Sequence, residues 1–266
     1  VSIRTFGSNN FEIESTGTVG SMSRTIRVYG SYPSTSSAAF NHAFFTNADL
    51  KLTGGGSVVK NVDGGDTHSN QNTDLSGHVT ITGAATSTGT MTVSGSASAA
   101  DGATGGVDPI DFPQLDFDYY YAIAQANGEV YNGNVRLIGN YSPSGGVMWV
   151  NGDVSTKSSV NFNGMLVATG DIKQSSHFTQ TQYDNFPAIV SRNGNIKMSG
   201  QTIAEGVIIA QTGSVDITGG STIYGSVMAW GDIFTRGNWG TVYYQDEEPE
   251  VEDSGQDNVE VFVWEM

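Results

Sequence analysis

The sequence predicts an all-β protein: a right-handed parallel β-helix with an N-terminal β-hairpin and one or two short helices. Three observations carry that reading. First, Val and Ile number 25 and 16 against only 6 Leu, and β-branched side chains suit a pleated strand where Leu suits a helix. Second, a Gly followed by a small polar residue and then Val or Ile recurs at a near-constant interval, in Gly152-Asp153-Val154, Gly170-Asp171-Ile172, Gly194-Asn195-Ile196, Gly213-Ser214-Val215 and Gly231-Asp232-Ile233, with one longer step between the second and third copies. Third, short apolar runs closed by Gly are interleaved with it, at 164–170, 206–213 and 225–231. A unit of about 18 residues is too short for a propeller blade, and its composition is wrong for helical repeats. It fits one solenoid turn of about three short strands, with inward Val, Ile and Ala stacked at the ~4.8 Å strand spacing.

The elements follow in chain order. Phe11-Glu-Ile-Glu-Ser15, a Thr16-Gly17 turn and Ser23 to Tyr29 read as a β-hairpin, and Ser37 to Phe45 as a short helix or capping loop, so residues 1–48 form an N-terminal hairpin and cap. The solenoid spans 49–244. Its first part, Leu50 to Ser98, is irregular, with Gly65, Gly77 and Gly89 evenly but more closely spaced and an alternating segment at 79–82. A short helix near 117–127 then interrupts the coil, capped by Asp116 and stopped by Asn127-Gly128. The regular repeats fill 147–244, and their one long interval holds an insertion around Gln174 to Pro187. Residues 245–266 form an acidic linker and a C-terminal strand, Val259 to Glu265, which has apolar side chains on both faces and needs a sheet edge. The hairpin of the same chain is the first choice for that edge, and a neighbouring molecule the second.

Composition narrows the function. A net charge of -16 repels a phosphate backbone, although eight of the acids lie between Asp246 and Glu260, which leaves an ordinary charge on the rest. Nucleic acid is therefore not an expected partner, and no apolar run is long enough to provide a membrane span. The absence of Cys removes thiolate metal sites and disulfides and is compatible with an extracellular or cell-surface location.

Candidate chemistry is thin. Parallel β-helices suit polysaccharide lyases and hydrolases, which would need converging carboxylates. Asp108 and Asp111 flank a Pro in a loop, Asp116 and Asp118 sit where a helix start favours carboxylates, and Asp153, Asp171 and Asp232 share one repeat position with Asn195 and Ser214, as a turn requirement would dictate. His42, His68, His78 and His177 are scattered, without metal-ligand spacing. Asp63-Gly-Gly-Asp66-Thr-His-Ser-Asn70-Gln-Asn72-Thr-Asp74 is dense in hard oxygen ligands and suits Ca²⁺, but it lacks EF-hand spacing, and left-handed turn geometry explains the same letters. Thr86 to Thr92 places four Thr on one strand face, which suggests an ice-binding row that the later repeats do not continue. Trp149, Trp230 and Trp239, with Tyr131, Tyr141 and Tyr224, are candidate sugar-stacking platforms. No catalytic, cofactor-binding or metal-binding residue is assigned, and the expected cofactor set is empty.

The hairpin Phe11-Glu-Ile-Glu-Ser-Thr-Gly-Thr-Val with Ser23-Arg-Thr-Ile-Arg-Val, the stretch Gly65-Asp-Thr-His-Ser-Asn70, the segment Phe112 to Gly128 and Val167-Ala-Thr-Gly-Asp-Ile172 resemble the PilX-like pilus assembly proteins. That resemblance implies a minor-pilin-like start joined to a β-helix exposed on the cell surface. The hydrophobic prepilin helix of that group is not found before Val1, a departure from its pattern. The expected function is a noncatalytic structural or adhesive surface protein associated with pilus or filament assembly, whose partners are other surface proteins, copies of itself or carbohydrate. The alternatives are a carbohydrate-active enzyme or binding module, and a self-polymerising solenoid like the bactofilins.

Overall fold

The structure, a computed structural model, describes residues 2–6, 10–20, 22–31, 37–60, 64–246, 249 and 260–263. The chain divides into two compact units, Val1–Ser36 with Asp253–Met266, and Ser37–Glu252.

The smaller unit is a four-stranded antiparallel sheet. Strand β1 (Ser2–Phe6) pairs with β2 (Asn10–Val19), β2 with β3 (Met22–Ser31), and β3 with a C-terminal strand, Glu260–Val263, which aligns Val261 with Gly30 and Val263 with Val28. The hairpin turn is not at Thr16-Gly17. Those residues are inside the ladder, where Thr16 Oγ1 lies 2.9 Å from Thr25 Oγ1, and the chain reverses at Gly20, whose φ of +62° suits a residue without Cβ. The acidic stretch expected as a linker falls outside the described residues, apart from Gln245, Asp246 and Pro249.

The larger unit is a parallel β-solenoid of about ten turns. Each full turn presents three faces. The strap face carries, in spatial order, Val130–Asn132, Val147–Asn151, Met165–Ala168, Ile189–Ser191, Ile208–Ala210, Val227–Ala229, His42–Thr46, Asp66–Ser69, Ala85–Ser87 and Ala103–Gly105, all parallel. The sequence order is therefore not the stacking order. The chain starts in mid-solenoid at 42–46 and winds to one end at 103–105. It returns along the outside through 106–129, restarts at the opposite end, and winds back until Val227–Tyr243 pairs with 42–59. What the sequence reads as an interruption of the coil is this return connection, here called the strap.

The two open faces have period-2 burial, and the Gly-x-Val/Ile positions supply the interior of one of them. Val154, Ile172, Ile196, Val215 and Ile233 are consecutive register partners, each at most 2% exposed, and the column continues across the seam into Leu50, Thr73 and Met91. The repeat glycines are there for close approach: a Cβ on Gly194 would lie 2.5 Å from the carbonyl carbon of Gly170 one turn below. In the first part, the even spacing of Gly65, Gly77 and Gly89 does not mark turns. Phe45, His68, Thr86 and Thr104 are the stacked partners, so the first turn is longer than the regular repeat and the next two match it. The insertion in the later part narrows to 182–187, between Phe178–Thr181 and Ile189–Ser191.

Helix α1 (Phe117–Ala126) starts at Asp116, whose side chain accepts the Tyr119 N–H at 2.9 Å, and ends before Gly128 at φ +73°. A single 3₁₀ turn, Ala38–Asn41, precedes the first solenoid strand and is capped by Ser37.

Candidate functional site

From Val147–Val150 to Thr67–Ser69 in stacking order, the strap face is buried on both sides. Its outer column, Trp149, Val167, Val190, Ile209, Met228 and Phe45, forms a second apolar cluster with Phe112, Leu115, Phe117, Tyr120 and Ala124 of the strap and α1. The signal was in the sequence: the runs at 147–150, 165–168 and 207–210 are continuously apolar where the open faces alternate, the mark of a strand covered on both faces.

One row of residues just beyond these strands seats the strap. Asn70 holds it by a paired contact, donating from Nδ2 to the Ile110 carbonyl at 2.6 Å and accepting the Ile110 N–H at 2.9 Å. Trp230 meets Phe112 edge to face, with ring centres 5.6 Å apart. Gln211, 4% exposed, donates to the Pro113 carbonyl at 2.8 Å and accepts from Leu115 N–H at 3.4 Å. The Arg192 guanidinium lies 5.0 Å from the Phe117 ring centre. Past Phe45 the outer column turns polar, with His68, Thr86 and Thr104. There His68 is 1% exposed and stacks on Phe45, its Nδ1 is 2.8 Å from Thr86 Oγ1, and its Nε2 is 3.0 Å from Asn70 Oδ1. His42 is partly exposed, its ring centre 5.6 Å from that of His68 and its Nδ1 3.1 Å from the Ala38 carbonyl. Burial depresses the proton affinity of both imidazoles; a charge on His68 would depress that of His42 further, while Asp66 and backbone carbonyls oppose this. The pair was illegible in sequence because the turn from Phe45 to its partner His68 is longer than the regular repeat.

The carboxylates do not converge. Asp153, Asp171 and Asp232 belong to a ladder in which each side-chain oxygen accepts the backbone N–H of the equivalent residue one turn on. It runs Asn134, Asp153, Asp171, Asn195, Ser214, Asp232, Asp49, Asn72 and Thr90, with N to O distances of 2.9 to 3.1 Å. Asp116 is a helix cap, Asp118 lies exposed in the first turn of α1, and Asp108 and Asp111 are exposed on the strap.

The Asn195 N–H holds the Asp171 carboxyl below its usual value of 3.8; burial opposes this and Lys173, 3.2 Å away, adds to it. A depressed carboxylate gives stability that is present above its unfolded value and lost as pH falls through the folded one. Asp171→Asn keeps the acceptor but cannot titrate. Its melting temperature should therefore fall less steeply than that of the wild type as pH drops from about 5 to 3, measured by circular dichroism.

Within the cluster proposed for Ca²⁺, Asp63 lies outside the described residues and the other oxygens serve separate partners. Asp66 accepts from Ala84 N–H and pairs with Lys60, Asn70 binds the strap, Asn72 is a ladder member, and Asp74 faces Lys51. Among the described residues, no group of three or more His, Cys, Asp or Glu is placed to hold a metal ion. His78 and His177 are apart from the His42 pair, and both are exposed.

Thr86 to Thr92 is not one strand face, because Ala85–Ser87 and Met91–Val93 are separate strands around a corner. A hydroxyl row exists elsewhere. Thr222, Thr241, Ser57, Thr80 and Ser98 are consecutive partners on the outside of one open face, drawn from both parts of the solenoid. Among the aromatic candidates, Trp149 and Trp239 are 2% and 1% exposed, so neither offers a ring face to a sugar. Tyr224 is covered by Tyr243, stacked at 5.3 Å, and Tyr141 lies on Phe162. Trp230 and Tyr131 remain exposed, at 45% and 40%.

No protein-family model, curated protein or solved structure matches this chain.

Proposed function

We propose that the chain is a noncatalytic structural or adhesive protein of the cell surface, associated with pilus or filament assembly. The observation that carries this reading is the side-chain ladder. The carboxylates of the repeat are bound to backbone N–H groups of the next turn, so the acids that recur along the solenoid are occupied in holding its turns together.

The stacking order supports a body that stands alone rather than one that stacks end to end. Among the described residues, ten strands line the strap face but nine line each open face. A second copy set against Ala103–Gly105 to prolong the strap face would leave a one-strand gap on both others. A second reading, carbohydrate binding without turnover, draws on the hydroxyl row and on exposed Trp230; co-sedimentation with insoluble polysaccharides separates it from binding to protein.

Immunogold labelling of intact cells with an antibody to the solenoid tests the proposal. Gold on the outer surface or along surface filaments is expected, and label found only inside permeabilised cells would reject it.

A further inference from the structure

We propose that His42, His68 and Asn70 form an acid-operated latch for the strap, in which proton uptake by the two imidazoles releases the Asp108–Leu115 segment from the outer strap face. This is independent of the functional reading above.

The strap is pinned beside His68 by two side chains that both touch it. Phe45 stacks on His68 at 5.8 Å and on Phe112 of the strap at 5.8 Å, and Asn70 Oδ1 takes both the His68 Nε2–H and the Ile110 N–H. With Nε2 as donor, the neutral ring accepts the Thr86 hydroxyl at Nδ1. A proton from solvent would enter at Nδ1, and the Thr86 hydroxyl would turn to the Thr67 carbonyl, 3.2 Å away. His68 then keeps its hydrogen bonds but carries a charge in an almost fully buried position, between Phe45 and a second imidazole. Moving the strap away hydrates both rings.

Among the described residues, the other charged groups around the pair are these. Asp66, the register partner of His42, favours a proton there, but it is shared with Lys60 at 3.4 Å, and Lys60 also pairs with Asp101 at 2.8 Å. The strand carrying Thr86 brings no charge, and Asp108 and Asp111 on the strap are solvent-exposed. The sign follows from burial. Burial holds both rings below the ordinary 6.5, and opening, which hydrates them, raises their proton affinity toward it, so the seated form loses ground as pH falls below that value. Release uncovers Phe45 and Phe112 and leaves the interior columns untouched.

Amide hydrogen exchange on the full chain, followed by NMR, tests the latch. The Ile110 N–H reports the strap, and the Ile196 N–H, bound to the Ser214 carbonyl at 2.9 Å, reports the solenoid. Above about pH 6.5 the Ile110 protection factor should be level, and from there down to about pH 5 it should fall by up to about tenfold per pH unit for each proton taken up, while that of Ile196 holds. In His42→Gln with His68→Gln that dependence should vanish. If the double variant cannot seat the strap at any pH, His42→Gln alone should still lower the slope. Constant Ile110 protection in the wild type, a fall in step with Ile196, or an undiminished slope in His42→Gln would each overturn the latch.

Discussion

Ile196→Asp should abolish cooperative folding of the solenoid. Ile196 is 1% exposed, with Ile172 below it and Val215 above, and the Lys197 beside it points to the opposite side of the strand. A carboxylate there has no partner, and taking the Ile side chain out of a packed column adds to its cost. Burying the unpaired charge costs several kcal/mol, comparable with the ~5 to 15 kcal/mol that holds an ordinary domain together. The variant should be insoluble or lack a thermal transition by circular dichroism. A melting curve that superimposes on that of the wild type would remove the interior column from the account.

Trp149→Ala should be the next most damaging change. The indole is 2% exposed on the outer strap face, packed edge to face against Phe117 at 6.1 Å and Tyr121 at 5.1 Å, with Nε1 donating to Asn151 Oδ1 at 2.8 Å. Truncating a buried aromatic to Ala costs about 3 to 5 kcal/mol, and here the loss falls on the seat of α1. Chemical denaturation should show a midpoint lowered to match, and limited proteolysis should cut first within 106–129. Trp230→Ala is the control: that ring is 45% exposed and touches the strap at one edge, so its stability loss should be much smaller. Equal midpoints for Trp149→Ala and wild type would mean that the helix does not depend on this ring.

How far the sequence carried the fold is clearest at these positions. Ile196 was legible because Gly-x-Val/Ile places one apolar residue inside each turn and the backbone spacing does the rest. Helix α1 was legible from its caps, Asp116 and Gly128, which are local chemistry. The stacking order was not legible, because every turn offers the next the same parallel edge. Asp232 pairs with Asp49 by the same side chain to N–H contact that joins Asp153 to Asp171. The first-part ladder residues were also disguised: Asp49 and Asn72 follow Ala48 and Gln71 where the later copies have Gly. The seat of the strap was hidden for another reason. Asn70, Gln211 and Trp230 look like ordinary corner residues until a distant segment is laid on them.

The position of the solenoid within the chain has a mechanical consequence. It is inserted between β3 and the strand Glu260–Val263, and these two are hydrogen-bonded neighbours in the small sheet. A tension applied between the start of β1 and Val263 is therefore carried first by the antiparallel pairing of that sheet, before it reaches the chain of the solenoid. Only when Glu260–Val263 peels from β3 does force reach the seam between 227–243 and 42–59, where the next bonds to part include Asn47 N–H with the Ala229 carbonyl and Tyr244 hydroxyl with the Phe40 carbonyl. A pulling trace should then show an early small rupture with a short extension, followed by release of the contour length stored in residues 37–246, so the small sheet acts as the fuse that decides when the large body yields.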